Sequence, residues 1–547
     1  MCILKLTIVI LLIWPGVACG QGISSDLYNS DEELYQAYLL GEISYNEYMI
    51  IKGILETGLD STNIHLLDYI PNLTYFLKQD KSLQTKLEIE QVEAMTVSQP
   101  YRLEYLAKID YKYYQKLKQE DTSRYQLSTQ INFNKNLQAI FKIDREYSGY
   151  ERIIYRSLRY KSRQGLFREA QVGNFSRRLG LGTVAGYRGK FLHYSREIDG
   201  ESLLFPDYGG SNGFYVDLYP NKKIEIQSIF SYNRDDLLEM TTSSTMASIK
   251  TGQMEFGLIA GLNKIKNRSS EATLIDSKIS SYSKYEYLHG YMAVEAAMQT
   301  GDKSGFGAIV TEGRHHFQNA DLRYSLWSYS DNFWDISSGS KAGNISHSED
   351  YGDIDLSLST NRTGVEGGLF KTIIEITSQY EMVSSLIYSG IDKDNYNIQY
   401  LAGMTRTINE KLSIRLDHIY KTKKRLKDQT ESEFEDHRTR LESTFSSGNL
   451  SLRSYIGYQT KTGEKSYLSL FMRLRNAKTR FGSFEFWSNL SRIDLKNKMI
   501  DYWYSFVRIH QQLLPDISTG IKLIHSYNRA SHNRHSITVI LEATALL

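Results

Sequence analysis

The chain has 547 residues, and its 65 Lys+Arg against 63 Asp+Glu leave a formal net charge of +2, so no global charge excess points to nucleic acid. Hydrophobic residues make up 41% and the mean hydropathy is −0.42, which excludes a bundle of transmembrane helices. With 41 Tyr, 38 Gly and only 6 Pro the chain reads as extended strands, and its 2 Cys, Cys2 and Cys19, leave no disulfide framework or thiolate metal site in the body.

The N-terminus reads as an export signal over residues 1–20. Lys5 precedes the apolar run Leu6–Trp14, Pro15 and Gly16 break it, and Ala18-Cys19-Gly20 forms a small-residue cleavage site before Gln21. Lipidation at Cys19 is the alternative, although Gly16 stands where a lipobox has Leu. The run is too short to span a bilayer as a helix, and no later segment approaches that length. A membrane protein of this composition must therefore cross with strands.

Residues 21–120 read as a small helical domain. Ser30-x-x-Glu33 and Ser44-x-x-Glu47 are capping boxes followed by apolar residues at helical spacing, such as Leu34, Ala37, Tyr38 and then Tyr48, Ile51, Ile54. Between residues 24 and 60 eight acids face one base, Lys52, for a net −7, a poor surface for a phosphate backbone.

From about Ser123 the period becomes two and stays so. Leu137, Ala139, Phe141 and Ile143 alternate with Gln138, Lys142 and Asp144. Ile354, Leu356 and Leu358 alternate with Asp353, Asp355 and Ser357. Leu412, Ile414 and Leu416 alternate with Ser413, Arg415 and Asp417. The spacing predicts about 18–22 strands over residues 121–547. A sheet that large has to close on itself, and no fixed-period repeat suggests a propeller or solenoid. Charged residues recur on one face of each strand, as a watery lumen allows, and Tyr and Phe (Tyr125, Phe133, Tyr215, Tyr219, Phe230) gather toward strand ends as girdles. The fold expected is mainly β: a large antiparallel transmembrane barrel preceded by a small α-helical domain. A secreted soluble β-rich binding protein is the bland alternative.

Two passages resemble bacterial outer-membrane β-barrel proteins that carry helix-hairpin-helix elements before the barrel. One runs from Gly41 to Tyr48 and on through Leu66 to Thr74, with Ile70, Pro71, Asn72 and Leu73 at the hairpin. The other is Gln171-Val172-Gly173-Asn174-Phe175 followed by Leu179-Gly180-Leu181-Gly182-Thr183-Val184. The resemblance implies an outer-membrane barrel acting as pore, transporter or surface assembly component, with the helical domain in the periplasm. Its implied partners are outer-membrane lipid, the barrel-insertion machinery and a periplasmic protein. A competence-type DNA-binding role of the hairpin is the alternative. Asn72 stands where the family has a glycine and the flanking helices are acidic, so the hairpin reads as a packing unit rather than a phosphate clamp.

No catalytic motif, cofactor fingerprint or metal-ligand spacing emerges. Gly180-x-Gly182 follows no parallel βα unit, and in Arg314-His315-His316 neighbouring histidines on a strand point to opposite faces. The charge feature is the stretch 144–190, where eleven bases face four acids for a net +7. Arg152, Arg156, Arg159, Arg163, Arg168, Arg177 and Arg178 are the candidates for an electropositive lumen or loop.

Overall fold

The computed structural model describes residues 106–547 apart from short stretches, the longest of which is 187–210. Twenty-four strands form one antiparallel sheet, each paired with the next in sequence. The first, Ala107–Leu117, pairs with the last, His535–Leu546, and so closes the barrel. Leu547 N–H donates to Ala107 C=O at 2.8 Å, and Ala107 N–H returns the bond at 2.9 Å. Closure leaves no edge strand exposed.

Two expectations need correction. The barrel has 24 strands rather than 18–22. The strands Leu238–Thr251 and Thr273–Tyr287 carry Thr241, Ser243, Thr245, Ser277, Ser281 and Ser283 where apolar residues would have marked the outer face, so their period is faint. The barrel also begins at Ala107, inside the stretch assigned to the helical domain, where Ala107, Ile109, Tyr111 and Tyr113 already alternate with Lys108, Asp110 and Lys112. The strand Ile354–Thr360 is not one of the barrel strands; it pairs with His347–Tyr351 in a separate two-stranded sheet. The hairpin Ile70–Leu73 and the export signal lie outside the described residues.

The faces of the sheet are inverted relative to a soluble protein. Outward positions hold Leu258 (67% exposed), Ile279 (56%), Ile456 (53%) and Leu541 (48%), while inward positions hold Glu295, Glu312, Asp417 and Lys522 at 3% or less. An apolar skin all round a closed sheet with charge inside is a bilayer-spanning arrangement. Aromatics border it at both ends. Phe133, Phe256, Tyr285, Phe317 and Phe484 lie toward one end, and Phe214, Tyr388, Phe434 and Tyr458 toward the other. Tyr215 departs from the girdle reading, because it faces inward at 4% exposure and packs beside Phe175. His315 does sit on the outer face, stacked between Tyr287 and Tyr324 at 5.5 Å from each.

The two ends of the barrel differ. The end where the first strand begins and the last strand finishes carries tight turns such as 222–223, 252–253, 288–289 and 318–319. The opposite end carries the two long connections, between Phe175 and Ser211 and between Tyr329 and Glu366.

Candidate functional site: two loops latched inside the lumen

The described parts of both long connections include segments that lie inside the barrel. After Phe175 the chain Ser176–Gly186 leaves the wall, and Leu179, Leu181, Thr183, Val184 and Ala185 are buried to 3% exposure or less. Burying Leu179, Leu181 and Val184 stabilises this position by about 1.5–3 kcal/mol each. Gly182 N–H donates to Leu179 C=O at 2.9 Å, and Leu179 N–H to Ala185 C=O at 3.0 Å, so the segment is a compact knot. Gly182 has φ +85°, a left-handed conformation that strongly favours glycine.

The wall is shaped to receive it. A Cβ at Gly261, mid-strand on the inner face, would meet Val184 Cγ1 at 2.5 Å. Ala293, Ala297 and Ala308 on the neighbouring strands are buried in the same cluster. Small side chains on adjacent inner positions make a recess where bulkier ones would hold the loop off.

Buried charge fixes the loop in the recess. The Glu295 carboxylate accepts from Leu181 N–H at 2.6 Å, from Ser280 Oγ at 2.7 Å, and from Thr183 Oγ1. The Arg178 guanidinium donates to Glu312 Oε1 at 3.2 Å. A carboxylate with no exposure costs several kcal/mol unless it is partnered, so these two acids make the wall dependent on the loop as much as the loop depends on the wall.

The second connection meets the first. Ser340 N–H donates to Gly182 C=O at 3.2 Å and Ser338 Oγ to Thr183 C=O at 2.5 Å. Phe333 is fully buried against Tyr329, with ring centroids 5.1 Å apart. Its ring also lies 5.0 Å from Lys278 Nζ, which is paired with Asp276 at 2.8 Å. The two loops thus form one body that fills the lumen beside the strands from Met254 to Thr377, near mid-height, since Glu295 lies in the middle of Gly290–Gly301.

The remaining wall is built differently. Around the inner face Tyr455 stacks on Phe471 at 4.8 Å and Trp487 on Phe506 at 5.8 Å, while Trp487 stands edge-on to Phe471 at 5.4 Å and to Tyr504 at 5.1 Å. A ladder of ion pairs runs beside them. It comprises Arg415 and Arg440 on Asp417 at 3.1 Å each, Arg453 on Glu442 at 2.8 Å, and Arg508 on Glu542 at 2.9 Å. Lys522 Nζ lies 3.8 Å over the Phe506 ring.

The sequence-predicted arginines are distributed along the first wall and the latch. Arg152 joins Arg124 on Asp144 at 3.1 and 2.9 Å. Arg159 and Arg177 share Glu169, and Arg177 also covers the Tyr215 ring at 4.9 Å. Arg156 donates to Asn212 Oδ1 at 3.2 Å, and Arg168 lies over Tyr219 at 4.8 Å. Arg163 lies outside the described residues. The sequence singled out Leu179–Val184 as a family-like passage early in the barrel, not as a loop in the lumen, and it did not point to Glu295, Glu312, Gly261, Ser338 or Ser340. The recurrence of Gly and Ala at inner positions of neighbouring strands was the available signal. Among the described residues no group of three or more His, Cys, Asp or Glu could hold a metal ion.

No protein-family model matches the chain, and no curated protein does. Among solved structures it is similar to the P pilus usher PapC translocation pore at TM-score 0.44 and 8% identity, covering 81% of this chain and 99% of that one. It is also similar to the siderophore receptor PirA from Acinetobacter baumannii at TM-score 0.43 and 7% identity, covering 82% and 81%. The copper transporter OprC matches at TM-score 0.41 and 6% identity, covering 82% and 81%. Resemblance at this level leaves function to be argued from this chain's own residues.

Proposed function

We propose that the protein is an outer-membrane β-barrel that conducts or transports solutes, with the two latched loops as the barrier in its lumen. The observation that carries this reading is the seat of the loops. Glu295 and Glu312 place carboxylates inside a barrel whose outer skin is apolar, and loop atoms complete their coordination. A barrel needed only as an anchor has no use for buried acids aimed at a loop.

Tight turns at the end where the first strand begins and the last strand finishes, and long connections at the other, match the usual periplasmic and extracellular ends of such barrels. Residues before 106 then emerge on the periplasmic side, where the helical domain would meet a periplasmic partner after export through residues 1–20. Lipid is the solvent of the outer face, and the insertion machinery would read the last strand. Because Arg152, Arg159, Arg177 and Arg178 are each bound to a carboxylate, the lumen presents mixed charge, and the pore is expected to be weakly ion-selective.

Single-channel recording of the refolded full chain in planar bilayers tests the proposal. The expected result is a small conductance that rises when Glu295→Ala or Arg178→Ala frees the first loop. A protein that stays soluble without detergent, or a conductance indifferent to both variants, would sink it.

A further inference from the structure

We propose that His525 and His535 form a two-histidine site for a divalent transition-metal ion on the outer face of the barrel, at its loop-bearing end. His525 lies in the strand Ile517–Asn528 between Ile524, which is buried, and Ser526, and it pairs across the ladder with Ile537. His535 opens the last strand and pairs with Tyr527. Both imidazoles therefore stand on the face opposite Lys522 and Ile524, one ladder step apart on a diagonal.

The geometry is that of a chelate. His525 Nε2 and His535 Nδ1 are 3.2 Å apart. Two nitrogens bound to one metal at about 2.0–2.1 Å stand about 2.9 Å apart at a right angle and about 3.4 Å apart at the tetrahedral angle. The observed separation falls between them, so the pair can share a metal in place of a proton once both rings turn their nitrogen lone pairs off the line that joins them. The rings are held for this. Trp503 packs edge-on against His525 at 4.8 Å, and Tyr527 lies against His535 at 4.8 Å. A ligand already held in place loses less rotamer entropy on binding. With two protein ligands and water in the remaining positions, the affinity order should follow Cu²⁺ above Ni²⁺ and Zn²⁺. The other outer histidine pair differs, since His418 Nδ1 is already hydrogen-bonded with Thr439 Oγ1 at 2.9 Å while His437 packs on Tyr420 at 4.7 Å.

Trp503 supplies a built-in reporter. Titrating Cu²⁺ into the full-length protein in detergent micelles should quench part of the tryptophan emission saturably. That component should disappear in Trp503→Phe, which removes the reporter, and in His525→Gln and His535→Gln, which remove ligands. His437→Gln should leave it intact. Electron paramagnetic resonance of the Cu²⁺-loaded wild type should show coupling to two equivalent-type nitrogens, a reading that needs no variant to fold. A purely collisional quench, a saturable quench retained in both His525→Gln and His535→Gln, or a copper spectrum without nitrogen coupling would overturn the assignment.

Discussion

Between Leu238 and Thr377 the inner wall carries small residues and buried acids, and two loops lie against it. From Leu412 round to Leu117 it carries rings and an arginine–carboxylate ladder, and among the described residues its apolar cluster is made of strand residues alone. Both walls bury charge, but the partners come from different places. On the ladder side each acid finds its base within the strands of that wall, as Asp417 finds Arg440 on the next strand at 3.1 Å and Glu542 finds Arg508 one strand beyond its neighbour at 2.9 Å. On the loop side Glu312 and Glu295 find theirs more than a hundred positions away in sequence, at Arg178, Leu181 and Thr183. A wall satisfied by its own strands can be stable without changing passage through the lumen. A wall satisfied by a loop ties its stability to the loop's position.

That contrast can be broken by variants that cost similar stability on the two sides. Arg178→Ala leaves Glu312 buried without its guanidinium and should cost about 3–5 kcal/mol. Urea titration in lipid vesicles measures the loss, and conductance should rise with it. Trp487→Ala, on the other wall, empties the centre of the ring stack and should also cost about 3–5 kcal/mol. Its conductance should stay at the wild-type value. Equal conductance changes in the two would erase the distinction.

Smaller effects sharpen it. Leu541→Arg sets a charge on the lipid face and should cost about 2–4 kcal/mol, whereas Thr544→Arg, whose hydroxyl now donates to Asp110 at 2.7 Å, should cost far less. Folding titrations of both check the sidedness of the last strand, and a larger loss at Thr544 would reverse it. Gly261→Ala presses a methyl toward Val184 and Ser244 Oγ, 2.5 and 2.7 Å from the new carbon, and should cost about 1–3 kcal/mol. Although milder than Trp487→Ala, it should raise conductance where Trp487→Ala does not, and trypsin should begin to cut after Arg177.

The alternation of apolar and charged residues was enough to call for a closed, membrane-spanning sheet, because each strand's period of two is a local property and an edge-free sheet is its only large-scale solution. It failed where local signals overlap. The first strand keeps the period of two through Ile109, Tyr111 and Tyr113 but follows directly on a stretch read as helical, and hydroxyl-bearing outer faces such as Thr241, Ser243 and Thr245 hid others. The passage Leu179–Val184 was conspicuous in the sequence as a glycine-rich break in the strand pattern, but nothing local says whether such a segment lies outside the barrel or within it. That was decided by Gly261, Glu295, Glu312 and Ser340, which lie far from it along the chain and reach it only after the barrel has closed. The partner of Arg178 was decided in the same way, since a net charge counted along 144–190 takes no account of Glu312, whereas Arg152, Arg159 and Arg177 pair with Asp144 and Glu169 inside that stretch.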